Sequence, residues 1–426
     1  MPKSHVITFG CRLNRYESLL IEKNLATLTA EQETFVFNTC AVTSEAERQA
    51  RQAIRRLKRE KPDARIVVTG CGAQLGAKSF AVMPEVDLIL GNREKMHASF
   101  LKKASGTFVG EMKALEELPS HTPLSKDRAQ HGNRAFLQIQ NGCDHACTFC
   151  VITKARGPSQ SVDPEKLVAQ VRALCQEGVS EVILTGVDLT AYGQDLKKSY
   201  TLTSVVRLLL KEVPDLGRLR ISSLDPAEID ESFFDLVVCE PRLMPHFHIS
   251  LQAGADLILK RMKRRHLRND MIQFAQKVRY ARPDIVLGAD IIVGFPTETE
   301  AHFQETLQLV EECKIALLHV FPFSPRPTTP AARMPQVSKE VVKERGQRLR
   351  RLGQKIYYET LESFVGQKTE VLLEKSQYGY NPHFLPVVLE GEHAKGLVDN
   401  ILIQSVVERE GKFCLLGKVE EVLRVA

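Results

Sequence analysis

The chain contains no tryptophan, and only 6% of its 426 residues are aromatic. Extensive stacking of bases on exposed rings, common in readers of single-stranded RNA, is therefore not advertised. No apolar run approaches the roughly 20 residues that a membrane-spanning helix needs. Met1-Pro2-Lys3-Ser4-His5 leads directly into a strand pattern, with no apolar leader before it. The expectation is a soluble, cytoplasmic chain with no membrane partner. In such a reducing compartment the ten cysteines are expected to be metal ligands or reactive thiols more often than disulfides.

Another absence is more informative. Cys143, Cys147 and Cys150 form a C-x3-C-x2-C run with no fourth cysteine nearby. An iron–sulfur cluster usually takes four thiolates. Three local thiolates imply a cubane with one open iron, and an open metal position is where a catalytic site holds its reactant. A zinc knuckle or scattered thiols is the blander alternative.

Three further cysteines are far apart in sequence but alike in setting. The strand pattern His5-Val6-Ile7-Thr8-Phe9-Gly10 runs into Cys11, Thr34-Phe35-Val36-Phe37-Asn38-Thr39 into Cys40, and Arg65-Ile66-Val67-Val68-Thr69-Gly70 into Cys71. Helical patterns follow the first two, near Glu17 to Thr27 and Ser44 to Lys61. After Cys71 a Gly-containing turn is expected, then a weaker helix. A fourth strand is expected near Val86–Leu90. Alternating strands and helices predict a parallel sheet, whose carboxyl edge is where ligands bind. Cys11, Cys40 and Cys71 should converge on that edge, with Gly10 and Gly70 letting the backbone approach a bulky ligand. The competing reading is that each is a small buried hydrophobe. Gly70-Cys71-Gly72 lacks the full dinucleotide fingerprint and is not read as one.

Six strand patterns then alternate with helices: near Ala135–Gln140, Glu181–Thr185, Arg218–Ser222, His246–Leu251, Ile285–Val293 and Ala316–Phe321. Six units are fewer than the eight of a closed barrel, so an open partial barrel is expected, with the cysteine loop at its carboxyl face. His246 and His248 alternate onto one strand face. No third ligand is near them in sequence, so a packed or substrate-facing role is preferred to a metal pair. After Gly366, short strands separated by Gly379, Gly391 and Gly411 predict a small β-barrel.

The formal net charge is +6, and it is clustered. Basic runs fall at Arg48–Lys61, Lys260–Arg268 and Arg345–Lys355. A single run is usually only a solvated helix face. Three together raise the expectation of a polyanion partner. Residues 365–426 instead carry seven Lys/Arg against nine Asp/Glu, a net of −2, so the basic helices are expected to carry the electrostatics of any RNA contact.

The three-cysteine loop resembles that of the radical S-adenosylmethionine superfamily, and Phe149 matches the aromatic residue before its last cysteine. Across nearly its full length the chain is similar to the methylthiotransferases. The matching segments include Phe9-Gly10-Cys11-Arg12-Leu13-Asn14-Arg15-Tyr16-Glu17, Asn38-Thr39-Cys40-Ala41-Val42-Thr43, Val68-Thr69-Gly70-Cys71-Gly72-Ala73-Gln74, Leu184-Thr185-Gly186-Val187-Asp188, His248-Ile249-Ser250-Leu251-Gln252-Ala253-Gly254 and Phe321-Pro322-Phe323-Ser324-Pro325-Arg326. Thr153, Lys154 and Ala253 depart from the family pattern and put fine substrate contacts in question.

This resemblance implies an α/β fold: an N-terminal parallel-sheet domain (1–104), a linker (105–133), an open (β/α)6 radical-SAM partial barrel (134–362) and a small TRAM-like β-barrel (363–426). It implies two [4Fe–4S] clusters, one on Cys143, Cys147 and Cys150 and an auxiliary one on Cys11, Cys40 and Cys71. It further implies S-adenosyl-L-methionine contacts at Phe149, Gly186, Ser222, Gln252 and Val293. The implied partners are a tRNA substrate and an electron donor such as flavodoxin or ferredoxin. The Cys11–Glu17 segment most resembles the branch that methylthiolates carbon 2 of N6-threonylcarbamoyladenosine at position 37. Isopentenyladenosine-37 and a ribosomal protein are the alternatives within the family. A non-catalytic iron–sulfur electron carrier or RNA binder is the alternative outside it.

Overall fold

The computed structural model describes residues 4–28, 32–112 and 133–420. Strands β1 (Ser4–Thr8), β2 (Thr34–Thr39), β3 (Arg65–Gly70), β4 (Leu88–Leu90) and β5 (Gly106–Phe108) lie side by side in sequence order, all parallel. Helices α1 (Arg12–Ala26), α2 (Ser44–Glu60), α3 (Cys71–Ala81) and α4 (Ala98–Leu101) connect them. Phe35, Phe37, Ile66 and Val68 pack into one core cluster, Val36, Val67, Leu88 and Leu90 into another. A strand buried on both faces loses polar alternation, which is why these strands read as plain apolar runs. The Thr43 hydroxyl caps α2 by accepting from the Ala46 amide at 3.1 Å.

Two local expectations change. Helix α3 begins at Cys71 itself, with no intervening turn. The stretch read as linker from residue 105 opens with β5, which extends the first sheet by pairing with β4. Three residues are too few to show a strand period. Residues 113–132 of the expected linker lie outside the described residues.

The second unit carries β6 (Arg134–Gln138), a short β7 (Gln140–Asn141), α5 (Ile152–Arg156), β8 (Gln160–Ser161), α6 (Pro164–Gln176), β9 (Glu181–Thr185), α7 (Leu202–Glu212), β10 (Arg218–Ile221), α8 (Glu231–Cys239), β11 (His246–Gln252), α9 (Asp256–Met262), α10 (Arg268–Ala281), β12 (Val286–Val293), α11 (Glu300–Glu312) and β13 (Ile315–Pro322). Strands β6, β9 and β10 form one parallel group and β11, β12 and β13 another. Bridges Leu219–Leu243 and Leu224–Ile249 join β10 to the third-last strand, β11. The six strands thus follow one another as expected, and β6 and β13 do not pair with each other among the described residues.

The long α12 (Lys339–Glu362) leads to β14 (Lys368–Lys375), β15 (Tyr378–Tyr380), β16 (Pro386–Leu389), β17 (Gly396–Arg409) and β18 (Lys412–Val419). These close into a barrel in the order β14-β15-β16-β18-β17. Its acidity has a structural use. Glu374 pairs with Arg134 at 2.5 Å and Glu370 with Arg218 at 2.7 Å. Asp284 of the larger barrel pairs with His383 at 2.7 Å. The Phe384 ring stacks on His246 with centroids 5.3 Å apart and lies 4.9 Å from the Arg220 guanidinium carbon and 5.4 Å from that of Arg134. The glutamates therefore neutralise arginines of the neighbouring barrel.

Candidate iron–sulfur and substrate site

Cys40 and Cys71 follow directly on β2 and β3, and Cys11 lies just past β1, so three adjacent strands deliver three thiols to one edge. Gly10 adopts φ +98°, and a Cβ there would sit 2.7 Å from Cys40 Cβ and 2.8 Å from its Sγ. Gly70, at φ +93°, lies against the Thr39 carbonyl. The glycines thus permit close approach of neighbouring strand ends. Burial pushes the Cys40 thiol up to about 11, and Cys71 and Cys11 add to the rise.

The second trio sits on the loop between β7 and α5. The Thr148 hydroxyl donates to the Arg261 carbonyl at 2.7 Å, and its amide to the Met262 carbonyl at 3.1 Å. Burial drives the Cys143 thiol up to about 12 and Cys150 up to about 11, with the neighbouring thiols adding. In both trios a backbone amide two residues on donates to a sulfur at 3.4 Å: Val42 to Cys40, His145 to Cys143 and Ile152 to Cys150. Three thiols gathered in each place, with amide donors already on Cys40, Cys143 and Cys150, form a donor set that a cationic metal–sulfur core would satisfy. The residues fit such a group.

The two trios are locked to each other. Cys71 packs with Ala41, Val151 and Ala155, the latter two flanking and following the Cys150 position. Asn92 Nδ2 lies 3.6 Å from Cys71 Sγ and donates to the Ala155 carbonyl at 2.8 Å. Buried Arg156, at the end of α5, donates to Glu17 at 2.8 Å, Asn14 at 2.7 Å and Asn141 at 3.1 Å. Lys95, fully buried, holds the other side of Glu17 at 2.7 Å. Burial alone would raise the Glu17 carboxyl, but Arg156 and Lys95 hold it down at about 2. Sequence reading missed this network, because a lone Lys95 or Arg156 gives no hint of burial.

A cavity beside the second trio is lined by Phe149, Asp188, Asp225, Gln252, Arg264 and Arg265, among others. Arg264 Nη1 lies 3.7 Å from Cys147 Sγ, and its Nη2 donates to Asp225 at 2.7 Å. His145 pairs with Asp188 at 2.6 Å. The basic run at 260–268 is therefore only partly a solvated face, with Lys260 and Lys263 exposed. Arg264 and Arg265 turn inward, and His266 is buried with Nδ1 at 3.2 Å from Asp225. Arg268 reaches Glu312 at 2.8 Å.

Of the five expected cofactor contacts, Phe149 and Gln252 line this cavity, Gln252 with φ +70° at the end of β11. Gly186 and Ser222 each precede a lining residue, Val187 and Ser223. Val293 does not line it; it is 1% exposed within the barrel's hydrophobic core. His246 and His248 have separate roles. Burial and Arg220 hold His246 far below the usual histidine range, so it is neutral under the Phe384 ring. His248 Nε2 lies 2.9 Å from Asp290 Oδ1, and His319 Nδ1 lies 3.1 Å from the same oxygen. The further partners absent from the nearby sequence arrive on β12 and β13.

Six ordered parallel strands with a three-thiol loop after the first define a radical S-adenosylmethionine barrel. Residues 137–310 match the radical SAM superfamily model, and residues 3–91 match uncharacterized protein family UPF0004. The fold is shared with the radical S-adenosylmethionine methyltransferase TsrM of Kitasatospora setae, at TM-score 0.53 and 12% identity over 78% of this chain and 77% of that one. The threonylcarbamoyladenosine tRNA methylthiotransferase MtaB of Rickettsia prowazekii is 47% identical over 93% of both chains. The MtaB of Aquifex aeolicus is 36% identical over 93% of this chain and 98% of its own. A tRNA-2-methylthio-N(6)-dimethylallyladenosine synthase of Corynebacterium jeikeium is 33% identical over 93% and 83%. The chain belongs to the radical S-adenosylmethionine methylthiotransferase family, in its MtaB branch. It is an enzyme, and membership implies a [4Fe–4S] cluster and S-adenosylmethionine. Among the described residues, no helix is long and apolar enough to cross a membrane.

Proposed function

We propose that this chain adds a methylthio group to carbon 2 of N6-threonylcarbamoyladenosine at position 37 of cytoplasmic tRNA. The observation that carries the reading is the pairing of two three-thiol sites across one packed junction. Cys143, Cys147 and Cys150 would hold one [4Fe–4S] cluster with S-adenosylmethionine, and Cys11, Cys40 and Cys71 would hold a second. When bound, these groups supply the radical that activates an unreactive aryl C–H bond and the sulfur that replaces the hydrogen.

The protein's own work is placement. Arg156, Glu17 and Lys95 keep the two thiol sets in fixed register. Arg264, Arg265, Asp188 and Asp225 give the cavity both signs of charge, as a zwitterionic amino-acid moiety requires. Phe149, packed edge-on to Phe295 at 6.4 Å, and Gln252 shape its wall. The RNA would approach over a groove of about 850 Å³ between β13, α12 and the β17–β18 hairpin. Arg350, Lys375, Arg409 and Lys412 line it together with Tyr357 and Phe413. This is an electrostatic surface with sparse aromatic contact. A flavodoxin or ferredoxin would supply the electron.

An anaerobic assay of the iron-reconstituted protein with isolated tRNA tests the reading. The expected product, found by nucleoside mass spectrometry, is 2-methylthio-N6-threonylcarbamoyladenosine. Methylthiolation of isopentenyladenosine alone would overturn it.

A further inference from the structure

We propose that Arg12 is the residue that reads the carboxylate of the threonyl substituent and so sets the choice of modified base; this rests on the function proposed above. Arg12 directly follows Cys11, at the first position of α1. Its side chain leaves the first sheet and enters the barrel, where Nη1 donates to the Ser222 carbonyl at 3.3 Å. The guanidinium carbon lies 5.6 Å from the centre of the Phe384 ring. It therefore stands between the Cys11 end of α1 and the barrel strands, and it is half-buried.

Among the described residues its charge has no direct carboxylate partner. The Ser222 carbonyl is its one hydrogen-bond partner among the described residues. The Arg220 and Arg134 guanidinium carbons lie 4.9 Å and 5.4 Å from the centre of the same Phe384 ring, and the nearby acids are Glu181 and Asp290. Those two acids are occupied elsewhere. Glu181 binds Arg220 at 3.0 Å and Arg134 at 2.8 Å, and Asp290 accepts from His248 and His319. A desolvated cation in a positive surround is poised for an anionic ligand. A threonylcarbamoyl group brings one carboxylate on a short polar arm. An isopentenyl group brings only hydrocarbon, which would leave the guanidinium buried and unpaired.

The test uses anticodon stem-loop oligonucleotides carrying either N6-threonylcarbamoyladenosine or its threonine methylamide, which removes the charge and little else. The wild-type enzyme should prefer the carboxylate in kcat/KM by on the order of 10²-fold. In R12Q that ratio should fall close to one. R12K, which keeps the charge and loses the fork, should hold an intermediate ratio. Iron content is measured alongside each rate. Equal wild-type rates on the two oligonucleotides would overturn the assignment without any variant, as would R12Q and R12K variants that slow both substrates equally and keep the wild-type ratio. A wild-type enzyme that modifies neither oligonucleotide but modifies an isopentenyladenosine one would instead defeat the proposed function.

Discussion

Cys147 has Arg264 as its neighbour and no substitute thiol within the loop, so C147A is expected to abolish 5′-deoxyadenosine formation. The anaerobic assay of S-adenosylmethionine cleavage reads this, and an active variant would remove the site assignment. Glu17 supports a second expectation. Its carboxyl and that of Glu181 are held at about 2, against an ordinary value of 4.5. Between those values the folded chain binds fewer protons than the unfolded one. Both contributions are thus complete above about pH 4.5 and are lost as pH falls toward about 2. Urea unfolding of the metal-free protein should show this decline, and E17Q should flatten part of it. E17Q should also cost about 3–5 kcal/mol at neutral pH, because it leaves Arg156 and Lys95 buried without their counter-charge.

The strands and helices were largely legible. Apolar runs such as Thr34–Thr39 and Val286–Val293 lie in buried parallel strands, and their ends mark the edge where the cysteines gather. What escaped has identifiable causes. Gly70, Gly72 and Gly76 masked the start of α3, although Gly76 is its only non-helical point. The inward contacts of Arg261, Arg264 and Arg265 were hidden because these residues look like solvated cations until Thr297, Asp225 and Glu228 are brought opposite them. The His248–Asp290–His319 group needed three strands in register, which local pattern does not supply. Gly10 offers a test of how the first sheet delivers its thiols. G10A forces a Cβ against Cys40 in a left-handed backbone, a strain of roughly 1–3 kcal/mol. Iron bound after anaerobic reconstitution should fall by about half relative to wild type, which corresponds to loss of one [4Fe–4S] cluster of two. Full iron content in G10A would exclude that picture.

Across the assembled chain, some charges join the domains and others line an open groove. Glu370 and Glu374 face Arg218 and Arg134, whereas Lys375, Arg409 and Lys412 line the groove. Replacing those three cations with alanine is expected to lower tRNA affinity and to flatten its salt dependence. The slope of log K against log salt should drop by roughly 2, at about 0.7 per phosphate contact. Fluorescence anisotropy over a salt series measures it, and an unchanged slope would move the RNA elsewhere. E370Q/E374Q should leave that slope intact.

The Phe384 ring gives the small C-terminal barrel a further consequence. It acts as a stopper in the floor of the larger one, set among Arg134, Arg220 and His246. A truncated enzyme ending after α12 would open that floor to water and hydrate the very cations that need a dry surround. Domain exchange between relatives would therefore have to carry the plug along with the module, or the chimera would leak.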